Sequence, residues 1–273
     1  MHILFVEKHY PLLDGSHGGG AGTYVRIVAQ ELTKQGHKVS VITGFETYSE
    51  DGFFKDQNID VYTQNINSKV LWYISKIPLM NSFIFRSAEY LIKGYKKFRL
   101  IRRINKTFKI DIIEYSSNGD FWQSIFKSIP YVVHFHGSKY TIDRFLKREI
   151  TFGDRLMNYF SGYFYKNASF IISPSQWMLT EVEKENNFQY QNKLVIKYPT
   201  SYFDSEILKN KINKKVRFFM AARDDAAKGW NQIIASVNNL SEYYLNKSEF
   251  IFFGLNKISK ANKKNNMTIH KFS

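Results

Sequence analysis

Seven short apolar runs, rich in β-branched residues, alternate with stretches of helical period over residues 3–196. They are Ile3–Val6, Val39–Thr43, Ile59–Tyr62, Asp111–Tyr115, Tyr131–His136, Phe170–Ser173 and Leu194–Ile196. Runs this short and continuously apolar suit strands buried on both faces, as in a parallel sheet. Between them, Thr23–Gln35 puts Tyr24, Ile27, Val28 and Leu32 on one helical face and stops at Gly36. Pro174–Asn186 is a second helix, with Ser173 as its expected N-cap and Pro174 at its first position. The pattern predicts an α/β, doubly wound domain over residues 1–197.

The polar segment 198–215 reads as a linker. The alternation then restarts, with strand Val216–Ala221, helix Trp230–Leu240, strand Phe250–Gly254 and a weaker strand Met267–His270. This second unit, 216–273, has about 60 residues, where a doubly wound domain needs on the order of 100. The expectation is one complete copy of the architecture and one cut short.

Hydrophobic residues make up 44% of the chain, which excludes global disorder. The absence of cysteine excludes disulfides and thiolate metal sites and fits a reducing compartment. The start, "MHILFVEKHY", has no basic region ahead of its apolar run, so no signal peptide is expected. The longest apolar candidate, "IPLMNSFIF", is too short to span a bilayer. These readings predict a cytoplasmic protein whose membrane contact, if any, is peripheral.

A formal charge of +15 should draw the chain to phosphates in some form: nucleic acid, anionic lipid or a phosphorylated substrate. No zinc spacing, RNP-like motif or helix-turn-helix is evident, so nucleic acid is not an expected partner. The charge concentrates in 70–109, with ten Lys or Arg against the single acid Glu89. There Leu91, Tyr95, Phe98, Ile101, Ile104 and Phe108 recur at helical spacing, with basic residues on other faces. Lys93, Lys96, Lys97 and Arg103 would meet an anionic membrane surface. The same pattern also suits a core-packed helix with a solvated basic face.

"HGGGAGTYV" (17–25) follows the first strand. No Lys follows the glycines as a Walker A loop requires, and no start gives G-x-G-x-x-G. What remains is a long loop ending in glycines at a helix N-terminus, where amides and dipole favour anions or sugar hydroxyls. A plain surface loop is the other reading, and the residues alone leave both open.

Further clusters bear on that choice: His136–Gly137 closing a strand, Ser173–Pro174–Ser175 at a strand–helix junction, Arg223 with Lys228–Gly229, and Gly254 after "FIFF". Together with Gly19–Gly20, their order and spacing resemble the family 4 glycosyltransferases of GT-B fold. The resemblance implies two Rossmann-like, doubly wound parallel-sheet domains, the second incomplete here. It implies sugar transfer from a nucleotide-sugar to a glycan or lipid-linked glycan acceptor, with retained anomeric configuration and neither metal nor other cofactor. Lys-, Asn- and Ile-rich composition is compatible with bacterial surface-polysaccharide synthesis. By this resemblance His136 contacts the donor sugar, and Arg223 and Lys228 stabilise the diphosphate leaving group. Gly19, Gly20, Gly137, Thr200 and Gly254 line the donor and acceptor sites. The sequence departs from the family in having Ala222 before the arginine and Thr200–Ser201 where Asn-Gly is usual. It also has no two glutamates separated by seven residues, so weak or absent transfer by this chain alone is expected. A non-catalytic sugar- or nucleotide-binding role is the alternative.

Overall fold

The computed structural model describes residues 1–11, 19–44, 51–65, 83–117, 120–137, 139–199, 215–222, 228–254 and 267–270. The chain divides into two compact units, Met1–Thr200 and Ser201–Ser273. Most of the segment read as a linker, together with Thr200 and Arg223, lies outside the described residues.

The first unit is an eight-stranded sheet. Its strands are β1 (His2–Val6), β2 (Lys38–Thr43), β3 (Gly52–Asp56), β4 (Ile59–Thr63), β5 (Ile112–Ser116), β6 (Tyr131–His134), β7 (Phe170–Ser173) and β8 (Lys193–Val195). They lie in the order β3-β4-β2-β1-β5-β6-β7-β8. Every pairing is parallel except β3 with β4. β3 was not legible as a strand: "GFFKD" lies at the sheet edge, buries only Asp56 fully, and has no β-branched residue. From β1 the chain winds outward through β2 and β4, then returns to place β5 on the other side of β1. Strand order therefore reverses between β1 and β5, where open α/β sheets leave a crevice at their carboxyl ends.

Parallel strands bury both faces, and two cores result. Phe5, Val39, Val41, Ile59 and Val61 pack on Val25 and Ala29 of α1 (Gly20–Lys34). Leu4, Val6, Ile42, Ile113, Tyr115, Tyr131 and Val133 belong to the other core. That core includes Ile101 and Ile104 of α2 (Phe83–Thr107), and Phe164 and Tyr165 of α5 (Phe152–Lys166). The shorter α3 (Phe121–Phe126) and α4 (Lys139–Phe145) follow β5 and β6. Helix α6 (Gln176–Asn186) follows β7, and its N-cap is Ser175 rather than Ser173. Ser173 is the buried last residue of β7 and donates its hydroxyl to the Ser175 carbonyl, whereas Ser175 accepts from Met178 N.

The second unit has a parallel three-stranded sheet, ordered β11 (Met267–His270), β10 (Ser248–Phe253), β9 (Val216–Ala221). Trp230 and Val237 of α7 (Trp230–Asn238) pack on Phe250, Phe252 and Met267. A short α8 (Glu242–Asn246) precedes β10.

Helix α2 carries the basic run, and its faces separate cleanly. Phe98, Ile101 and Ile104 are buried, while Arg99, Arg102, Arg103 and Lys106 are exposed and Lys93 and Lys96 half-buried. Lys97, expected on the membrane-facing surface, is instead 6% exposed. The reason is Asp120, the fully buried N-cap of α3, whose carboxylate acts on the Lys97 charge. Burial pushes the Asp120 carboxyl up to about 6, against the pull of Lys97 and two backbone amides. Removing one member of such a pair strands the other's charge in the core. Lys97→Met should therefore cost about 3 kcal/mol or more in urea unfolding. Lys97→Met with Asp120→Asn, which keeps a capping side chain, should recover part of that loss. A Lys97→Met protein as stable as wild type would show that the pair does not matter.

Candidate functional site

The chain leaves β1 at Glu7, which is 3% exposed, and the Glu7 carboxylate accepts from His9 N at 2.9 Å. The turn is held further by Thr43, whose hydroxyl accepts from Tyr10 N and donates to the Lys8 carbonyl. Tyr10 donates to Asp56 on β3 at 2.7 Å, and Asp56 also accepts from Arg26 of α1 at 3.0 Å. Helix α1 then lies so close that a Cβ on Gly22 would fall 1.7 Å from the His9 carbonyl oxygen. Glycine is required at that point for closeness of approach. Gly19 is the N-cap, extended at φ −124°, and gives the helix no side-chain cap. Gly20 opens the helix beside free space.

This placement delivers Tyr24 to the crevice. Its ring meets His134 edge-on at 4.5 Å between centroids, His136 at 5.1 Å and Tyr198 at 5.6 Å. His134 ends β6, and β6 runs beside β5 in register, pairing Glu114 with Val132 and Ser116 with His134. Because side chains alternate along a strand, Glu114 and His134 share one face. One Glu114 oxygen lies 3.3 Å from the Tyr24 hydroxyl, which donates to it, and 3.2 Å from His134 Nδ1.

His136 lies two residues beyond the end of β6. Its amide donates to Ser117 Oγ at 2.8 Å instead of extending the ladder, so the strand stops earlier than the sequence suggested. Gly137 follows at φ +146°, a conformation that L side chains rarely adopt. The His134 and His136 rings stack at 4.6 Å and 14°. Tyr198 lies nearly parallel to His136, and their Nδ1 and hydroxyl oxygen are 2.9 Å apart. Burial, reinforced by His134, drives the His136 imidazole down to about 3, so the ring is neutral at physiological pH. Burial and then Glu7 raise the Tyr198 phenol, which stays protonated. Two ring nitrogens, His134 Nε2 and His136 Nε2, are buried without a hydrogen-bond partner among the described residues. A cluster with a half-buried carboxylate, two neutral phenols and two unsatisfied imidazole nitrogens is equipped to hydrogen-bond a polyhydroxylated ligand.

Of the residues picked out by sequence, His136 and Gly137 lie together here, with Gly19 and Gly20 at the head of the helix that carries Tyr24. In the second unit, exposed Lys228 precedes Gly229, the N-cap of α7 at φ +76°. Gly254 follows β10 at φ +90°, beyond the carboxyl end of the same small sheet. Sequence reading passed over Glu114, although a carboxylate inside the apolar run "DIIEYS" is a visible signal. Tyr24 read as an ordinary core position and Tyr198 as linker.

The neutral His136 makes a pH prediction. In the unfolded chain its imidazole takes a proton below about 6.5, and in the folded protein only near 3. The unfolded state thus binds more protons between these values, and the stability it contributes is lost as pH falls from 6.5. Wild-type protein should lose up to about 2 kcal/mol more than His136→Gln between pH 6.5 and pH 5 in urea unfolding. Equal slopes for the two proteins would refute the assignment.

The architecture has relatives among solved structures. Sucrose-phosphate synthase from Thermosynechococcus elongatus superposes with a TM-score of 0.65 at 13% identity, over 98% of this chain and 69% of that one. WaaG, a glycosyltransferase involved in lipopolysaccharide biosynthesis, gives 0.62 at 14%, over 98% and 70%. An α,α-trehalose-phosphate synthase (UDP-forming) from Burkholderia vietnamiensis gives 0.56 at 11%, over 92% and 63%. No curated protein matches the sequence. The profile of Glycosyltransferase Family 4 matches residues 18–196, from the glycines before α1 to the end of the large sheet. The chain therefore belongs to Glycosyltransferase Family 4, and it is a glycosyltransferase of GT-B type.

Proposed function

We propose that this enzyme transfers a sugar from a nucleotide-sugar, with retention of anomeric configuration and without a metal ion, to a lipid-linked glycan of a bacterial surface polysaccharide. The observation that carries the reading is the stacked His134–His136 pair at the carboxyl end of β6, with both Nε2 atoms buried and without a partner among the described residues. His136 is too weak a base at neutral pH to take a proton from an acceptor hydroxyl, so its part is hydrogen bonding to the sugar. As the bond from the sugar to the diphosphate breaks, the electron pair and negative charge pass to the diphosphate. Lys228, at the head of α7, is suited to receive that charge, with Arg223 as its expected companion. The UDP-forming neighbour supports UDP as the nucleotide, and WaaG supports a lipopolysaccharide-type acceptor.

Titration of the purified chain with UDP-, ADP-, GDP- and dTDP-sugars, followed by product analysis, tests the reading. One nucleotide class should bind, and Lys228→Ala should weaken it about tenfold, or ~1.4 kcal/mol. Binding of none overturns the proposal. Binding without turnover would favour a non-catalytic role.

We further propose that the enzyme is cytoplasmic and docks on the inner face of the plasma membrane through the outer face of α2. Arg99, Arg102, Arg103 and Lys106 are exposed there together with Ile92, Tyr95 and Phe108. No described helix is long and apolar enough to cross a membrane. The chain should sediment with anionic vesicles and not neutral ones, releasing at high salt. Arg102→Gln with Arg103→Gln should weaken this, and equal behaviour with both vesicle types would sink the idea.

A further inference from the structure

We propose that Tyr198 is a positioning residue: its hydroxyl fixes the tautomer of His136, so that the buried Nε2 carries the proton and donates to a hydroxyl oxygen of the bound sugar. The inference rests on the sugar-transfer reading for its ligand, but not for the tautomer itself.

The contact between His136 Nδ1 and the Tyr198 hydroxyl, at 2.9 Å, can form in two ways. Either the phenol donates to a bare Nδ1, or a protonated Nδ1 donates to the phenol oxygen. An imidazole lone pair is a far better acceptor than a phenol oxygen, and a phenol O–H a better donor than a neutral imidazole N–H. The first arrangement wins. A neutral ring holds one proton, so that proton is on Nε2. Nε2 is buried and no group among the described residues accepts from it.

His134 is set the opposite way. Its Nδ1 faces the Glu114 carboxylate at 3.2 Å, and an ionised carboxylate only accepts. Nδ1 therefore carries the proton, and in the tautomer this selects Nε2 is a bare acceptor, also buried and without a partner among the described residues. Two stacked imidazoles are thus held in opposite tautomers by two different partners, Tyr198 from the segment after β8 and Glu114 from β5. Together they offer one donor and one acceptor. Sugar hydroxyls both donate and accept and match that pair; a phosphate oxygen, which only accepts, is opposed by the bare nitrogen. The two histidines belong with the sugar rather than the diphosphate.

Long-range 1H–15N correlation spectra of the full chain at pH 7 read the tautomers directly. His136→Gln and His134→Gln identify the signals among the seven histidines. In wild type, His136 should show a bare Nδ1 and a protonated Nε2, and His134 the reverse. A protonated Nδ1 on His136 overturns the proposal without any variant. In Tyr198→Phe, His136 should shift towards an averaged pattern while His134, still held by Glu114, keeps its own; an unchanged His136 also overturns it. The ligand half is tested with whichever nucleotide-sugar binds. Tyr198→Phe should weaken it about tenfold and leave binding of its free nucleoside diphosphate unchanged. Equal weakening of both would refute a role at the sugar. If wild type binds no nucleotide-sugar, the functional reading fails, while the tautomer assignment is still decided by the spectra.

Discussion

Helix α1 meets the chain leaving β1 at a distance that no side chain at Gly22 could tolerate, with the His9 carbonyl 1.7 Å from where a Cβ would sit. The rest of the site depends on that approach. The His9 turn is itself pinned, by Glu7 on one side and by Lys8 and Tyr10 on Thr43 on the other, so it has little room to retreat. With the turn fixed and the helix pressed against it, Tyr24 enters the crevice at one height. There its ring touches His134, His136 and Tyr198 together. A bulkier residue at position 22 would lift the helix and take Tyr24 out of reach of Glu114. Of the glycines that looked most like ligand loops, Gly20 has open space around it and a Cβ on Gly19 would make only an ordinary contact with His9; the packing demand falls at Gly22.

A carboxylate in a sheet interior is costly unless its oxygens are occupied. Glu114 meets that cost by taking the Tyr24 hydroxyl and the His134 imidazole on one oxygen. The arrangement ties α1, β5 and β6 together across the strand-order reversal, so the groups that build the pocket also brace it. What is left unsatisfied, one nitrogen on each histidine, is confined to two atoms on neighbouring stacked rings. Their cost in the empty protein is the counterpart of what a ligand gains on arrival.

Lys97 and Asp120 show a second way of carrying charge inside the fold. Asp120 caps α3 through Trp122 N and is wholly buried, and Lys97 of α2 supplies the opposite charge. This pair turns one lysine of a basic helix inward, while Arg99, Arg102, Arg103 and Lys106 stay outside. Helix α2 is therefore both a core element and a charged surface, the arrangement of a core-packed helix with a solvated basic face.

Much of the fold was legible because buried parallel strands have few alternatives. β7, β9 and β11 appear with the bounds that their apolar runs suggest, and β1, β2, β4, β5 and β10 within one or two residues. The edge strand β3 and the short helices α3 and α4 were not, since a half-exposed edge and helices of one or two turns carry no strong period; α5 was passed over although it is amphipathic along its length. Within the site, the sequence by itself determined that His134 and His136 share a face, because alternation along a strand is local geometry. That Glu114 stands beside them, that Tyr24 packs edge-on to His134 and tilted against His136, and that Tyr198 returns 62 residues later to reach His136 were decided only by the tertiary structure. Those contacts depend on strand order and on the spacing of α1 from β1. Such quantities emerge from packing the whole sheet and leave no pattern in any single stretch of residues.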